Sequence, residues 1–216
     1  MKIGVIVAMD KELERLEAAL GGSKGIIGAN EVTAVKCGVG KVNSALGAWR
    51  LINDIDADLI ISTGVAGGAD LQLSIGDVVV SDECRYHDAY CGKGYERGQI
   101  MGLPAAFTSP KELVDKAVAL ETKSRIWHGL IVSGDYFVDD TAIMRRILAS
   151  FPSAKAVDME SCSIAQTCWL CHVPFVSFRI ISDIPLIENN AQQYEGFWND
   201  IANNSFDVTK EFLEAI

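Results

Sequence analysis

Hydrophobic residues along the chain alternate between short continuous runs and helical spacing. The run Ile3–Ala8 is rich in β-branched residues and predicts a first strand, after which Leu13, Leu16 and Leu20 recur at helical intervals. Further strands are predicted at 31–37, 58–62, 75–81, 127–133, 154–157 and 174–183. One helix is predicted to begin at the glycine turn 38–41, and others cover 110–121, 143–150 and 161–171. A terminal helix is predicted within 198–216. Strands that alternate with helices predict a largely parallel sheet in one α/β domain.

Acidic, aromatic or glycine residues come directly after several of these predicted strands. They are Glu12, the glycine-rich segment 64–68, Phe137, Glu160 and Asp183. The segment 64–68 is expected to form a turn whose backbone amides approach a ligand closely. Because the carboxyl ends of parallel strands meet at one edge of a sheet, we expect all five features to share one cleft.

The segment 174–183 is apolar except for Ser177, Arg179 and its end, Ser182-Asp183. A carboxyl at the end of an apolar strand can hold its proton near neutral pH, so Asp183 is a candidate general acid with Arg179 as its counter-charge. The structural alternative is that Asp183 caps the following turn and that Arg179 is its partner on the surface.

Composition narrows the class of protein. Of the 216 residues, 49% are hydrophobic and 22% charged, as is typical of a compact globular domain. The formal net charge of −10 disfavours nucleic acid and anionic membranes as partners, since both attract basic surfaces. No run approaches the roughly 18 apolar residues that a membrane span needs, which predicts a soluble protein.

The cysteines indicate a reducing compartment. Six cysteines lie in otherwise apolar segments, which is typical of reduced core residues in a cytoplasmic protein. Charged residues follow Met1–Ala8 at once, and no cleavage site is evident, so a strand is favoured there over a signal peptide. Cys168 and Cys171, with Cys162 and His172 nearby, approach a zinc-ligand spacing, but the second ligand pair is missing. We therefore expect no metal and no cofactor.

Seven motifs are collinear across nearly the whole chain. They are KIGVIVAMDKE ending at Glu12, CGVGK at Lys41, STGVAGG at Gly68, GDVVVSDECRYHD at Asp88, GLIVSGD at Asp135, VDME at Glu160 and PFVSFRIISD at Asp183. Together these motifs resemble those of the 5′-methylthioadenosine/S-adenosylhomocysteine nucleosidases, which are part of the purine nucleoside phosphorylase superfamily.

The resemblance implies a single-domain, three-layer α/β/α sandwich over residues 1–216, with a twisted, mixed, largely parallel sheet. It implies an enzyme of methionine salvage that uses water to cleave the N-ribosyl bond of 5′-methylthioadenosine, S-adenosylhomocysteine or 5′-deoxyadenosine. The products are adenine and the free thioribose. By position, Glu12 resembles the base that orients the water, and Glu160 the carboxylate that binds the ribose hydroxyls. Asp183 resembles the acid that protonates N7 of the purine.

Other positions resemble substrate contacts. Phe137 resembles the ring that stacks on adenine, and Val138 the residue whose backbone binds the edge of the base. Arg179 and Ser182 resemble the groups that orient the water and the acid. The remaining predicted contacts are Met9, Val65, Ala66, Gly67, Met159 and Tyr194.

The resemblance also implies a homodimer, because in such enzymes the loop after His87 closes the site of the partner. The segment 89–107 is long and interrupted by glycines, which is typical of a functional loop or an interface. We therefore predict that Tyr95 and Pro104 contribute to the site of a second copy.

Some residues depart from the pattern of relatives. Val65 stands where many carry a serine, Asp158 replaces a common glutamate, and Tyr194 stands at or beside a usual phenylalanine. Lys93 falls near an expected aromatic residue of the pocket for the 5′-alkylthio group. The 5′-substituent of the substrate therefore stays open.

Two other functions remain as alternatives. A phosphorylase of the same fold would use phosphate in place of water, but such enzymes commonly bring an arginine to the segment before the glycines, where this chain has Leu59–Thr63. A nucleoside-binding protein without turnover is the third interpretation. The presence of Glu12, Glu160 and Asp183 favours the hydrolase.

Overall fold

A computed structural model describes residues 1–200 and 206–216. The strands are β1 Lys2–Val7, β2 Lys24–Ile27, β3 Asn30–Lys36, β4 Leu59–Gly68, β5 Val78–Tyr86, β6 Phe107–Thr108, β7 Ile126–Ser133, β8 Ala154–Asp158 and β9 Phe175–Asp183. The helices are α1 Asp10–Leu20, α2 Lys41–Ile55, α3 Lys111–Val118, α4 Thr141–Ser150, α5 Ser161–Leu170, α6 Asn190–Asp200 and α7 Asp207–Ala215. The predicted terminal segment 198–216 includes residues 201–205, which lie outside the described part.

The sheet is mixed, and its long pairings are parallel. β1 lies between β3 and β4 and is parallel to both, and β7 is parallel to both β5 and β8. The antiparallel pairings are short, as between β2 and β3 at one edge and between β5 and β6. The predicted mixed, largely parallel sheet is therefore confirmed.

Five strands close into a ring of pairings. β9 pairs in parallel with β4 and antiparallel with β5, while β4, β8, β7 and β5 are neighbours in that order. The contact that closes the ring joins Gly67 and Gly68 of β4 to Val157 and Ala156 of β8. As a result, the ends of β4, β7, β8 and β9 lie next to one another.

Helices cover both faces of the sheet. On one face, Leu16 of α1, Val114 of α3 and Phe212 of α7 belong to one buried core. On the other face, Leu51 of α2 and Ile164 of α5 belong to a second core. This is the layered α/β/α arrangement that the resemblance implies. No helix in the described ranges is long and apolar enough to cross a membrane.

The glycine-rich segment 64–68 is the end of a strand and not the predicted turn. β4 continues to Gly68 because this segment pairs with β9 on one side and with β8 on the other. A Cβ on Gly67 would lie 2.9 Å from Pro185 and 3.1 Å from Val157. Glycine is therefore what lets the strands approach closely enough to close the ring.

Three elements were not predicted, and the shortest is β6, which lies at the end of the segment 89–107 that was expected to be a loop. β2 occupies the region where the glycines after helix α1 indicated only a turn. Gly21 does end α1 in a left-handed conformation, with φ of 81°, but the chain then pairs with β3 through its backbone. The third missed element, α6, places Tyr194, Phe197 and Trp198 at helical spacing.

Candidate active site

Glu12 lies in the first turn of α1, and its carboxylate turns back towards the end of β1. Oε2 accepts hydrogen bonds from the backbone amides of Ala8 and Met9, both at 2.9 Å, and Oε1 accepts one from Val65 at 2.9 Å. Burial raises the pKa of Glu12 and outweighs the lowering by Arg179 and by these amides. A carboxylate with a raised pKa is a stronger base near neutral pH.

Gly64 leaves a small space between Glu12 and Arg179. A Cβ on Gly64 would lie 2.5 Å from Oε1 of Glu12 and 2.6 Å from Nη1 of Arg179. The φ of Gly64 is 155°, a conformation that other residues rarely adopt. The space is therefore bordered by a hydrogen-bond acceptor and a donor, a combination that suits one water molecule.

Arg179 is fully buried and pairs with Asp158. Its Nε lies 2.6 Å from Oδ2 of Asp158, and its Nη2 donates to Oγ of Ser62 at 2.9 Å. The prediction that Arg179 is the counter-charge of Asp183 is therefore wrong, and so is the alternative of a surface pair. The ring of strands explains the difference, since the end of β8 reaches the middle of β9 and leaves Asp183 four residues further on.

Asp158 and Glu160 are close in sequence but have different partners. Asp158 accepts a hydrogen bond from Oγ of Ser133 at 2.5 Å, whereas Oε1 of Glu160 accepts one from the amide of Gly40 at 3.0 Å. Burial, followed by the negative charge of Asp158, raises the pKa of Glu160 to about 7. Glu160 therefore changes its charge close to neutral pH.

Asp183 ends β9 and lies beside Gly67, its neighbour on β4. Oγ of Ser182 donates to Oδ1 of Asp183 at 2.8 Å, and Nδ2 of Asn190 donates to Oδ2 at 3.4 Å. Burial raises the pKa of Asp183 more than these two hydrogen bonds lower it. The carboxyl therefore keeps its proton to a higher pH, which is the property that a general acid needs.

Two aromatic rings meet at the mouth of the site. Phe137 is 50% exposed and meets Tyr194 edge to face, with 5.5 Å between the ring centroids. The hydroxyl of Tyr194 lies 3.9 Å from the sulfur of Met9. The two rings and this sulfur form a cover made of α6, the segment after β7 and the segment after β1.

A cavity of about 100 Å³ lies beneath this cover. The predicted residues that line it are Met9, Glu12, Val65, Ala66, Phe137, Met159 and Glu160. Four further lining residues were not predicted, namely Ala8, Val39, Val157 and Asp158. The structure therefore brings together residues that the sequence distributes over most of its length.

The other predicted site residues do not line the cavity. Arg179, Ser182, Asp183 and Tyr194 are held in the positions described above. Gly67 packs against Val157, and the side chain of Val138 is buried in a third core next to α4. Tyr95 and Pro104 lie in the segment 87–106, between β5 and β6.

Sequence reasoning missed three polar contributors to the site. Asp158 ends the strand β8, and Glu160 comes two residues later. This position at a strand end was the signal that could have identified Asp158. Gly40 belongs to the turn before α2, which we interpreted only as a helix start. Asn190 lies in the unpredicted helix α6 and gave no signal in the sequence.

A larger cavity lies away from these residues, between α3 and strands β5 to β7. It has a volume of about 540 Å³. Its charged side chains already pair with each other, since Nδ1 of His128 lies 2.9 Å from Asp82 and Nζ of Lys111 lies 2.6 Å from Asp115. Volume alone therefore does not mark it as the active site.

In the described ranges, no group of three or more His, Cys, Asp or Glu is placed to hold a metal ion.

Comparison with known proteins identifies similar chains over the full length. The profile of the phosphorylase superfamily matches residues 2–214. A curated 5′-methylthioadenosine/S-adenosylhomocysteine nucleosidase from Desulfotalea psychrophila is 40% identical over 230 residues, covering 100% of this chain and 98% of the relative.

Solved structures also align with this chain over its full length. The nucleosidase of this name from Neisseria meningitidis, in complex with methylthio-immucillin-A, aligns with a TM-score of 0.91 and 33% identity, covering 100% of this chain and 99% of that one. A futalosine hydrolase mutant from Helicobacter pylori aligns with a TM-score of 0.91 and 25% identity, covering 100% of both chains.

Proposed function

This chain belongs to the phosphorylase superfamily and, within it, to the 5′-methylthioadenosine/S-adenosylhomocysteine nucleosidases, and we propose that it hydrolyses the N-ribosyl bond of adenine nucleosides. Its substrates are 5′-methylthioadenosine and S-adenosylhomocysteine, and its products are adenine and the free thioribose. The observation that carries the proposal is the cavity lined by Glu12 and Glu160, with Asp183 at the adjacent strand end.

The attacking water binds in the space beside Gly64. Nη1 of Arg179 donates a hydrogen bond to it, and Oε1 of Glu12 accepts one from it. In the reaction the water oxygen forms a bond to C1′ of the ribose as the bond from C1′ to N9 breaks. The proton released by the water passes to Glu12, whose raised pKa favours this transfer.

The leaving base takes the electron pair of the broken bond. An adenine anion is a poor leaving group, so protonation of the ring lowers the barrier, as it does in glycoside hydrolysis. Asp183 donates its proton to N7, and adenine departs as a neutral molecule. Ser182 and Asn190 hold the carboxyl of Asp183 in place for this transfer.

The cover of the cavity opens to admit the nucleoside. A volume of about 100 Å³ is below the roughly 300 Å³ at which ligand pockets begin, so Phe137 and Tyr194 separate on binding. Phe137 then stacks on adenine and the backbone of Val138 binds the edge of the base. Met9 and Met159, which both line the cavity, contact the ribose, whose hydroxyls donate to the carboxylate of Glu160.

Hydrolysis is favoured over phosphorolysis by the lack of a cation for phosphate. Among the described residues, no arginine or lysine lines the cavity. Arg179, which lies behind it, is already paired with Asp158. A phosphate dianion would meet the carboxylates of Glu12 and Glu160 in that cavity, and the positive charge of Arg179 is already offset by Asp158.

We propose a homodimer in which the segment 89–107 completes the site of the partner. The support for a dimer is an exposed apolar surface. It includes a stripe on α2 formed by Val42, Leu46 and Trp49, each of which is at least half exposed. Trp169 and Leu170, at the end of the neighbouring helix α5, extend this surface. A two-fold contact between two such surfaces is the commonest way to bury them.

We place the enzyme in the cytoplasm and in methionine salvage. All six cysteines are free thiols in the structure, and free thiols persist in reducing compartments. Methionine salvage follows from the proposed substrate, because hydrolysis of 5′-methylthioadenosine frees the methylthio-sugar that carries the sulfur of methionine.

Adenine release tests the proposed function. The wild type is incubated with 5′-methylthioadenosine or S-adenosylhomocysteine, and free adenine is measured by chromatography. We expect release by the wild type and not by the variants Glu12→Gln and Asp183→Asn. Binding of these nucleosides by the wild type without release of adenine would indicate the nucleoside-binding protein without turnover.

A further inference from the structure

The buried pair of Asp158 and Arg179 is held by hydroxyl groups. Nε of Arg179 lies 2.6 Å from Oδ2 of Asp158 and 2.9 Å from Oγ of Ser161, and Nη2 donates to Ser62 at 2.9 Å. Both side chains are almost fully buried. These contacts fix two of the three guanidinium nitrogens, and the third, Nη1, faces the space beside Gly64.

Asp158 is itself surrounded by donors. Oγ of Ser133 donates to Oδ1, and Oγ of Ser161 donates to Oδ2. The backbone amide of Ser161 lies 3.2 Å from the same Oδ2 at the start of α5. Together with Arg179, these groups satisfy the acceptors that a buried carboxylate presents. The carboxylate is therefore fixed before any substrate binds.

Three acidic residues surround Arg179, but only one pairs with it. In the described part of the chain, the only carboxylate within 4.0 Å of its guanidinium nitrogens is that of Asp158. Glu160 binds the amide of Gly40, and Glu12 lies across the space beside Gly64. A guanidinium without this anchor would be drawn to either glutamate, and the pair would occupy the oxygens that the water and the ribose need.

We propose that Asp158 is a positioning residue that holds Arg179 beside Glu12 and prevents it from pairing with Glu160. The inference rests on the proposed function for its effect on catalysis, while its effect on Glu160 is present without substrate. Asp158 acts through Arg179 and touches neither the attacking water nor the leaving base.

Within residues 1–200 and 206–216, no lysine, arginine or histidine pairs with the carboxylate of Glu160. The charged or titratable groups that face it are Asp158, Arg179, Glu12 and the thiol of Cys37. Burial and the charge of Asp158 raise the pKa of Glu160 to about 7. Loss of the Asp158 charge lowers this pKa, both directly and because Arg179 becomes free to approach Glu160.

The test compares Asp158→Asn with Asp158→Glu and with a matched control. Asp158→Asn keeps the shape but loses the charge, and we expect kcat to fall by about 10² because Arg179 loses its position. The acid limb of the profile of kcat against pH should move to lower pH, because the pKa of Glu160 falls. Asp158→Glu should recover most of kcat. The control Asp70→Asn changes another carboxylate that pairs with a cation, in the partly exposed pair with Lys155 outside the site, and should alter neither kcat nor the profile.

A titration of the unliganded protein separates this inference from the proposed function. The ¹³C carboxyl signal of Glu160, assigned by its loss in Glu160→Gln, should titrate near pH 7 in the wild type. In Asp158→Asn the midpoint should fall by about one pH unit or more. An unchanged midpoint would overturn the inference, whether or not the enzyme releases adenine. Failure to release adenine from any nucleoside would instead reject the proposed function.

A second variant covers the case in which Asp158→Asn does not fold. Ser62→Ala removes one hydroxyl that holds Nη2 of Arg179 and leaves the charge of Asp158 in place. We expect a smaller fall in kcat with no shift of the acid limb. Suppose that folded Ser62→Ala keeps the kcat of the wild type, and that Asp158→Asn either keeps it too or does not fold. This combination would overturn the proposed positioning of Arg179.

Discussion

Glu12 and Arg179 face each other across the α-carbon of Gly64. The Cβ position of Gly64 lies 2.5 Å from Oε1 of Glu12 and 2.6 Å from Nη1 of Arg179, so any side chain at this position would push the two groups apart. Both groups are anchored on their far sides, Glu12 by three backbone amides and Arg179 by Asp158. The gap between them therefore has a fixed size.

Gly64→Ala should strongly reduce activity. The added methyl group would occupy the place that we propose for the attacking water, and displacement of catalytic groups by about 1 Å can cost ~10² in rate. We expect kcat for adenine release to fall by at least about 10², measured in a folded variant. The control is Gly25→Ala on the edge strand β2, where a Cβ meets no atom within 4 Å. Near-normal kcat in folded Gly64→Ala would place the water elsewhere.

Asp183→Asn should abolish turnover and preserve ligand binding. The amide keeps the shape of the side chain but cannot deliver a proton, and loss of one acid or base typically costs ~10²–10⁴ in rate. Steady-state kinetics should give the fall in kcat, while calorimetry should still detect binding of adenine. Asp54→Asn, on the exposed face of α2, serves as the control. A folded Asp183→Asn enzyme with near-normal kcat would exclude Asp183 as the acid.

Glu160→Gln should stabilise the fold at high pH. The pKa of Glu160 rises from 4.5 to about 7 on folding, so the folded state holds this proton more tightly than the unfolded chain. The resulting stability is complete below pH 4.5 and is lost as the pH rises through about 7. Glutamine stays neutral, so at about pH 9 the free energy of unfolding should exceed that of the wild type by up to about 3 kcal/mol.

Chemical denaturation at both ends of this pH range measures the effect. The variant and the wild type should be nearly equal in stability at acidic pH. Glu14→Gln, on the exposed face of α1, should show no such dependence on pH. If Glu160→Gln stabilises the protein equally at acidic and at alkaline pH, the titration of Glu160 is not the cause of the stabilisation.

Glu160→Gln should also bind ribosyl ligands more weakly than the wild type, because an amide oxygen is a poorer acceptor than a carboxylate.

Mixed dimers should recover activity if the segment 89–107 acts on the partner. We expect Glu12→Gln chains to be inactive, and likewise chains disrupted at Tyr95 and Pro104. In a mixed dimer, one site combines an intact Glu12 with an intact loop. Random pairing should then return about a quarter of wild-type activity.

A second mixture controls for general rescue. Glu12→Gln and Asp183→Asn both change residues of the same chain's site, so their mixed dimers contain no intact site and should stay inactive. Verified heterodimers of the first pair that show no activity would reject the shared site, and so would a protein that is monomeric in solution at micromolar concentration. In either case the segment would cover only its own site.

The sequence predicted the layers and the acidic strand ends because both depend on local patterns. Apolar runs and helical spacing place Glu12 and Glu160 after strands, and parallel strands bring such ends together. The structure places both residues on one cavity. Asp183 was also predicted at a strand end, and its burial there depends on the local apolar run in the same way.

The partner of Arg179 could not be predicted, because it depends on a contact between distant strands. Closure of the ring requires the end of β4 to pair with β8, and these segments are about 90 residues apart. The glycines that allow this approach have the composition of a turn, and so the prediction at 64–68 was wrong. An arginine inside an apolar strand showed that a buried acid was required, but not that the acid was Asp158.

The identity of the sugar product tests the central claim most directly. 5′-Methylthioadenosine is treated with the wild-type enzyme in buffer with and without phosphate, and the sugar product is analysed by mass spectrometry. We predict free 5-methylthioribose, with adenine formed at the same rate in both buffers. A strict requirement for phosphate, with 5-methylthioribose 1-phosphate as the product, would contradict the account and identify a phosphorylase.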